Sequence, residues 1–313
     1  MNSQEKIIQL KRIILDQLTP LINGDYWLLE APYYYYNAGD ILIWQGELDF
    51  LKTIPYKCKG MSSFYSEIPT NIKDSDIILL QGGGNFGDLW PVGHTYHMNV
   101  VKKYPNNRII FFPQTVYFRD PNNMRNCAEE LKRAPNTILC ARDKKSYDIL
   151  KENFTKAVLL VPDMAFYTDM SRWSHGASTQ EALLLNRDDV EYKSFEMLDK
   201  IKGSKNVHIS DWTPLTESAW QKNWFRRIRK YLPHCEWLYN WYAKAIFRPY
   251  MINSAINQLS TYQHIYTMRL HAAILTILLG KASELTWFDN SYGKNSSLYE
   301  TWLSDCDGIT FIQ

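Results

Sequence analysis

Short apolar runs alternate with amphipathic stretches along the first half of the chain. Residues 77–80, 109–113 and 137–141 form such runs, and residues 123–133 between two of them have apolar positions at helical spacing. Continuous runs this short are typical of strands that are covered on both faces of a parallel sheet. The alternation therefore predicts an α/β fold with parallel strands.

The same alternation returns in the second half after a break. Residues 167–180 are mostly polar and small, which predicts a domain boundary. We therefore expect two domains, residues 1–168 and 180–313, with the final helix free to pack back on the first domain. Further strands are predicted at 182–185, 207–210, 264–266 and 284–288.

One strand–helix junction of the second domain carries two chemically active side chains. A strand is predicted at 264–266 and a helix at 272–279, so Arg269 and His271 fall at the carboxyl edge of the sheet. Ligands bind at that edge in open α/β sheets, and the helix start offers N–H groups to an anion. Arg269 can bind phosphate or carboxylate, and His271 can carry a proton near neutral pH. A surface ion pair and a self-capping histidine are the alternative.

A second junction follows the strand predicted at 26–29. Its loop ends in Asn37, Gly39 and Asp40. We predict a tight turn at Gly39 and Asp40 as the N-cap of a helix over 41–51. Asn37 and Asp40 then become candidates for substrate binding at the sheet edge, although Asp40 could serve only as a cap.

A glycine-rich segment, residues 81–88, follows the run at 77–80. Its spacing matches the dinucleotide fingerprint, but the next strand ends in 113–115 without the acidic residue that holds a ribose. An NAD-dependent oxidoreductase is therefore disfavoured. Gly83, Gly84 and Asn85 remain candidates that let the backbone approach a bound anion or sugar, with a purely structural turn as the alternative.

Two further basic residues stand at element ends. Arg142 follows the strand predicted at 137–141, and Asp143 is the expected N-cap of the next helix. Lys294 precedes a final helix predicted at 297–303. Both are candidates for binding an anionic substrate.

The stretch 212–250 is dense in aromatic and basic side chains. By default it predicts an amphipathic helix with its aromatic residues packed inward and its charges in water. The alternative is a surface for an acceptor carried on an anionic membrane lipid, which would give the protein a peripheral membrane contact. The residues concerned are Trp220, Trp224, Arg226, Arg227, Arg229, Lys230, Trp237, Trp241 and Tyr242.

Composition narrows the class of protein. Lysine and arginine exceed aspartate and glutamate by 35 − 33 = +2, which is too balanced to indicate nucleic acid as a partner. The five cysteines lack metal-ligand spacing and are expected to be free thiols, so no metal is predicted. The amino-terminal segment is interrupted by charges, and no apolar run reaches the ~18–20 residues of a membrane span. We therefore expect a cytoplasmic protein, with the inner face of the membrane as the alternative location.

Taken together, these segments resemble the polysaccharide pyruvyl transferase family, in whose order they occur over about residues 37–303. The resemblance implies two Rossmann-like domains facing a cleft, similar to the GT-B architecture. It also implies phosphoenolpyruvate as donor, a sugar of a surface polysaccharide precursor as acceptor, no cofactor, and a donor site lined by Arg142, Arg269 and His271. The segments are 37–40, 82–85, 113–115, 141–143, 162–163, 269–272 and 289–294.

Phosphoenolpyruvate chemistry suits these residue types. The donor carries a phosphate and a carboxylate, each of which can accept from a guanidinium at about 1.5–3 kcal/mol per hydrogen bond. Its enol carbon must be protonated before a sugar hydroxyl attacks the neighbouring carbon, and an imidazole can supply that proton. A GT-B glycosyltransferase that uses a nucleotide sugar and a non-catalytic sugar-binding scaffold are the alternatives. Residues 171–262 match nothing in the family, which leaves acceptor specificity open.

Overall fold

A computed structural model describes residues 1–32, 37–63, 66–154, 157–173, 176–212, 231 and 235–313. The tyrosines at 33–36 lie outside the described residues, as do Trp220, Trp224 and the basic residues from Arg226 to Lys230. The chain divides into two compact units. Unit 1 comprises Met1–Pro32, Ile43–Asp169 and Ser296–Cys306, and unit 2 comprises Tyr33–Leu42, Met170–Asn295 and Asp307–Gln313.

Unit 1 is built on a parallel sheet. The strands are β1 Tyr26–Ala31, β2 Cys58–Ser63, β3 Ile77–Leu80, β4 Gly83–Gly87, β5 Ile109–Tyr117, β6 Thr137–Ala141 and β7 Val158–Leu160. They pair in the order β2-β1-β3-β5-β6-β7, with β4 added beside β5. The central strands are covered on both faces, as the unbroken apolar runs predicted.

Three helices of the first part of the chain begin at side chains that satisfy open N–H groups. Asn2 accepts from Glu5 in a capping box, Asp120 accepts from Asn122, and Asp143 accepts from Ser146. The prediction of Asp143 as an N-cap is therefore confirmed. The helices are α1 Ser3–Leu18, α2 Ala38–Leu51, α3 Pro91–Lys103, α4 Pro121–Lys132 and α5 Lys144–Asn153.

Unit 2 contains a second parallel sheet. Its strands are β8 Gln180–Leu185, β9 Val207–Ser210, β10 Tyr262–Thr267, β11 Leu285–Phe288 and β12 Thr310–Ile312. They pair in the order β12-β11-β10-β8-β9. The helices of this part of the chain are α6 Glu196–Lys202, α7 Glu236–Tyr242, α8 Arg248–Ser260, α9 Leu270–Leu278 and α10 Lys294–Leu298, with π-turns at Ala243–Phe247 and Tyr299–Leu303. Parallel pairing in both sheets confirms the α/β class, whereas the facing cleft stays a prediction.

Two predictions about helices are corrected. Trp237 and Trp241 are 71% and 54% exposed, so the expectation that the aromatic residues of this stretch pack inward is wrong for both. The final helix begins at Lys294 rather than after it and turns into a π-turn at Tyr299. Among the described residues, no helix combines the length and the apolar composition needed to cross a bilayer.

Candidate functional site

The start of α2 differs from the prediction at Asp40. The helix begins at Ala38, and the side chain of Asn37 accepts from the backbone N–H of Gly39 at 2.9 Å. Asn37 also donates from Nδ2 to Asp40 at 3.0 Å. Asn37 is thus the capping residue, and Asp40 lies inside the first turn, so its prediction as the N-cap is wrong. Asn37 and Asp40, three residues apart, are both residue types that can cap a helix, and the sequence alone does not choose between them.

Gly39 lets the start of α2 lie against residues 269–271, which we call the Arg-Leu-His segment. It lies within α2, not in the tight turn that was predicted, and a Cβ built on it would stand 2.4 Å from Nδ1 of His271. Only a residue without a side chain leaves that space to the imidazole. The structure therefore places His271 against Gly39, at the carboxyl edge of the unit 2 sheet.

Arg269 is the N-cap residue of α9 and is held by a carboxylate. Its Nε and Nη2 donate to the two carboxylate oxygens of Asp211, just beyond the end of β9. This bidentate contact fixes the plane of the guanidinium. The remaining nitrogen, Nη1, has no hydrogen-bond partner among the described residues. His271 follows two residues later in the first turn of α9 and is half-buried.

Lys294 belongs to a buried ionic network beside the same sheet edge. Its Nζ pairs with Glu191, which also accepts from Nη1 of Arg187 at 2.7 Å and from Nδ2 of Asn290 at 3.2 Å. Burial alone would raise the pKa of Glu191, but the charges of Lys294 and Arg187 outweigh it and lower that pKa to about 2. Substrate binding by Lys294 stays a prediction, and its observed contacts connect two loops.

In unit 1 the sequence candidate Arg142 is 1% exposed. Its Nη1 donates to Asp163 at 2.8 Å and its Nε donates to Thr115 at 2.7 Å. Thr115 in turn donates to Asp143 at 3.1 Å. This chain of contacts joins the ends of β5, β6 and β7. Binding of an anion by Arg142 stays a prediction, and it would require Asp163 to give way.

The glycine-rich segment forms strand β4 and lies against Arg142. A Cβ on Gly84 would stand 3.6 Å from Nη2 of Arg142, whereas one on Gly87 would collide with the carbonyl oxygen of Tyr117 at 1.8 Å. Gly83 and Gly87 have φ values of 138° and 132°, which favour glycine. Close packing of the strand explains Gly87. A role for Gly83, Gly84 and Asn85 toward a ligand stays a prediction.

Sequence reasoning missed a buried acidic residue at the end of β1. Glu30 has a φ of 68°, unusual for a residue with a side chain, and pairs with Nε2 of His97. Asn85 donates to its other oxygen at 3.5 Å. Nδ1 of His97 is buried and has no hydrogen-bond partner among the described residues. The available signal was a charged residue directly after a predicted apolar strand, which is the same signal that pointed to Arg142.

A neighbouring histidine of the same helix has a shifted pKa. His94 accepts the backbone N–H of Gly87 at Nδ1, at 3.2 Å. Burial, reinforced by the nearby His97, lowers the pKa of His94 to about 4, against a weaker opposing effect of Asp88. Accepting this hydrogen bond requires Nδ1 to be unprotonated, in agreement with the direction of the shift.

A comparison with known protein families gives a match over most of the chain. Residues 37–283 match the sequence profile of the family described as polysaccharide pyruvyl transferase. The chain belongs to the polysaccharide pyruvyl transferase family. The match includes the Asn37, glycine-rich, Arg142 and Arg-Leu-His segments. It also spans residues 171–262, for which the motifs gave no correspondence to the family, so that prediction is corrected. It ends before the 289–294 segment, which sequence inspection had included.

Relatives of this family are similar along most of the chain. "Putative pyruvyl transferase EpsO" of Bacillus subtilis (strain 168) is 29% identical over 327 aligned positions, covering 100% of this chain and 96% of that protein. "Pyruvyl transferase 1" of Schizosaccharomyces pombe is 25% identical, covering 88% and 70%. A crystal structure of a functionally uncharacterized Klebsiella pneumoniae protein superposes with a TM-score of 0.64 at 22% identity, covering 97% and 98% of the two chains, which shows the fold alone.

Family membership decides between the alternatives left open by the sequence. The protein is an enzyme of the pyruvyl transferase class, and the family's acceptors are polysaccharides. A non-catalytic scaffold and a nucleotide-sugar glycosyltransferase are therefore disfavoured. The resemblance stated from the sequence motifs is confirmed.

Proposed function

We propose that this polysaccharide pyruvyl transferase uses phosphoenolpyruvate as donor and forms a cyclic pyruvate ketal on a sugar of a surface polysaccharide precursor. The observation that carries the proposal is the contact between two segments that are distant in sequence. Gly39, whose backbone N–H is bound by Asn37, packs against the imidazole of His271 beside Arg269, at a sheet edge of the kind that binds ligands in α/β folds.

Arg269 is the proposed ligand of the donor's anionic groups. Asp211 holds its Nε and Nη2 edge, and Nη1 is the nitrogen left to bind a phosphate or carboxylate oxygen. A guanidinium that is already fixed loses less conformational entropy on binding. Asp211 also accepts from the backbone N–H of Trp212 at 2.6 Å, which fixes the carboxylate itself.

His271 is the proposed partner of the reacting enol. In one role it protonates the methylene carbon of phosphoenolpyruvate, so that the developing cation at the adjacent carbon accepts a sugar hydroxyl. Phosphate then leaves with its bridging oxygen, and a second hydroxyl of the sugar closes the ketal. One hydroxyl proton restores the imidazolium and the other leaves with phosphate. In the alternative role His271 binds the phosphate without donating a proton to carbon.

The proposal includes no resident cofactor, since the donor itself carries both the activated carbon and the leaving group. Gly83, Gly84 and Asn85 are proposed to contribute backbone and amide groups toward substrate, supported by the position of Gly84, where a Cβ would lie 3.6 Å from Nη2 of Arg142. Asp40 and Lys294 are proposed to act near the donor through their positions on the same unit as His271.

The test is release of phosphate from phosphoenolpyruvate with a panel of galactosides and N-acetylmannosaminides as acceptors. We expect transfer by the native protein and its loss in His271→Ala, with an unchanged circular dichroism spectrum. His208→Ala is the matched control, because His208 is an exposed imidazole on β9 of the same unit. Near-native turnover by His271→Ala would contradict both roles of the histidine.

A further inference from the structure

A helical segment of unit 2 presents large apolar side chains to solvent in one row. Trp237, Trp241, Ile246 and Tyr250 are 71%, 54%, 42% and 37% exposed. They occupy α7, the π-turn and the first residues of α8. Isolated exposed apolar residues are common, but a contiguous row of four is typical of an interaction site. We call these four residues the aromatic row.

The π-turn aligns the two halves of the aromatic row. Residues four apart share a face of an α-helix, which pairs Trp237 with Trp241 and Ile246 with Tyr250. Trp241 and Ile246 are five apart, a spacing that an α-helix would turn away from a common face. Ile246 lies in the π-turn Ala243–Phe247, where the backbone hydrogen bonds run from residue i to i+5 and one extra residue is accommodated. The one-residue expansion therefore keeps all four on one side.

Charge indicates what the aromatic row contacts. The sequence 221–250 contains seven Lys or Arg and one Glu, a net charge of 7 − 1 = +6, although the whole chain carries only +2. Five of the seven, from Lys222 to Lys230, lie outside the described residues, whereas Lys244 and Arg248 alternate along the sequence with members of the aromatic row. No Asp or Glu occurs from Trp237 to Ser283. Tryptophan and tyrosine favour the interfacial region of a bilayer, and adjacent basic residues are attracted to anionic lipids.

We propose that the aromatic row docks the protein on the surface of an anionic lipid bilayer. A second copy of the chain fits this face less well. Four partly exposed side chains supply no more than about 500 Å², against ~800 Å² per partner in a stable interface. A helix lying in the interface plane needs no such area from a partner. The proposal does not depend on which donor the enzyme uses.

The test is cosedimentation of the full chain with large vesicles of phosphatidylcholine mixed with phosphatidylglycerol, and with vesicles of phosphatidylcholine alone. We expect binding to the mixed vesicles at low salt, weaker binding at high salt, and little binding to phosphatidylcholine. The double variant Trp237→Ser with Trp241→Ser should partition at least about tenfold more weakly.

The control removes equally exposed apolar side chains elsewhere. Ile8 and Val92, on α1 and α3, are 68% and 67% exposed, so Ile8→Ser with Val92→Ser should bind vesicles as the native chain does. Both double variants should keep native circular dichroism and native phosphate release with a soluble acceptor. Failure of the native chain to bind mixed vesicles at low salt would overturn the proposal. So would native-like binding by the tryptophan variant, or a concentration-dependent dimer that only this variant loses.

Discussion

At the scale of single residues, Arg142 and Arg269 both lie at strand ends but differ in how a carboxylate holds them. Arg142 is sequestered by Asp163, whereas Arg269 is half-buried and is held by Asp211. The two acidic partners lie far along the chain, so no local pattern connects them to the arginines.

Gly39 provides a test of the His271 position at this scale. We expect Gly39→Ala to reduce pyruvyl transfer by at least about 100-fold, because even a misplacement of about 1 Å can cost that factor. The added Cβ would stand 2.4 Å from Nδ1 of His271 and displace the ring. Steady-state phosphate release measures the effect.

The control for this substitution is Gly176→Ala, where a Cβ would meet no atom within 4 Å. It should leave turnover unchanged. Alanine is favoured over glycine inside a helix by about 1 kcal/mol, so lost activity in Gly39→Ala would not be explained by helix propensity. Retained activity in Gly39→Ala would show that His271 does not need its observed position.

His94 predicts a specific acid sensitivity of stability. Its pKa is about 4 in the folded protein and near 6.5 in the unfolded chain, so between these pH values the unfolded state binds more protons. The free energy of unfolding should therefore fall as pH drops from about 6.5 to 4, by about 1–3 kcal/mol from this residue. Urea unfolding at a series of pH values measures it.

The comparison variant is His94→Gln, which retains an acceptor but does not titrate in this range. Its unfolding free energy should depend less steeply on pH between about 4 and 6.5. Equal slopes for the two proteins would mean that another group causes the acid sensitivity.

At the scale of elements, strands were predicted best where their residues are uniformly apolar. The bounds of β3, β6 and β9 are as predicted. Strand β4 was missed because glycines carry no apolar pattern, and α3 was missed because His94 and His97 interrupt one. The start of α2 was wrong by three residues because Asn37 and Asp40 offered competing caps.

The loops after β8 and β11 should lose stability together when Glu191 is neutralised. Glu191→Gln leaves Lys294 and Arg187 without their shared carboxylate, and breaking a buried ion pair costs about 3–5 kcal/mol. We expect a loss of that order in the free energy of unfolding, measured with urea, and faster hydrogen exchange in residues 187–193 and 289–294.

The surface control is Glu196→Gln. Glu196 pairs with Lys200, and both side chains are largely exposed. Such pairs contribute about 0–1 kcal/mol, so this variant should unfold close to the native protein. Equal costs for the two substitutions would show that the buried network adds no more than a surface pair.

At the scale of the whole molecule, the α/β class and its parallel strands followed from the order of apolar runs, because such runs need cover on both faces. The same reasoning could not decide the orientation of aromatic side chains on a helix of mixed composition. Trp237 and Trp241 were expected inside and lie outside, because five of the seven residues of α7 are aromatic or apolar and the sequence therefore indicates no single buried face.

Thiol reactivity tests the prediction that all five cysteines are free, which the structure confirms. Burial raises the pKa of Cys127 to about 12, with a smaller effect of Glu130 in the same direction. Burial also raises the pKa of Cys140 to about 12, and Cys306 is buried as well. Only Cys58 and Cys235 are partly exposed. Ellman's reagent should therefore modify two thiols rapidly in the native protein and five in denaturant. Fewer than five in denaturant would reveal a disulfide.

The π-turn at Ala243–Phe247 makes the side on which Ile246 and Tyr250 emerge depend on the number of residues before them. Shortening that turn by one would rotate everything downstream by about 100°, with no change in the residues presented. Transplanting this helix into another protein therefore requires the same number of residues in the turn as well as the same side chains. A sequence search that assumes α-helical periodicity would not detect that the four exposed residues share a face.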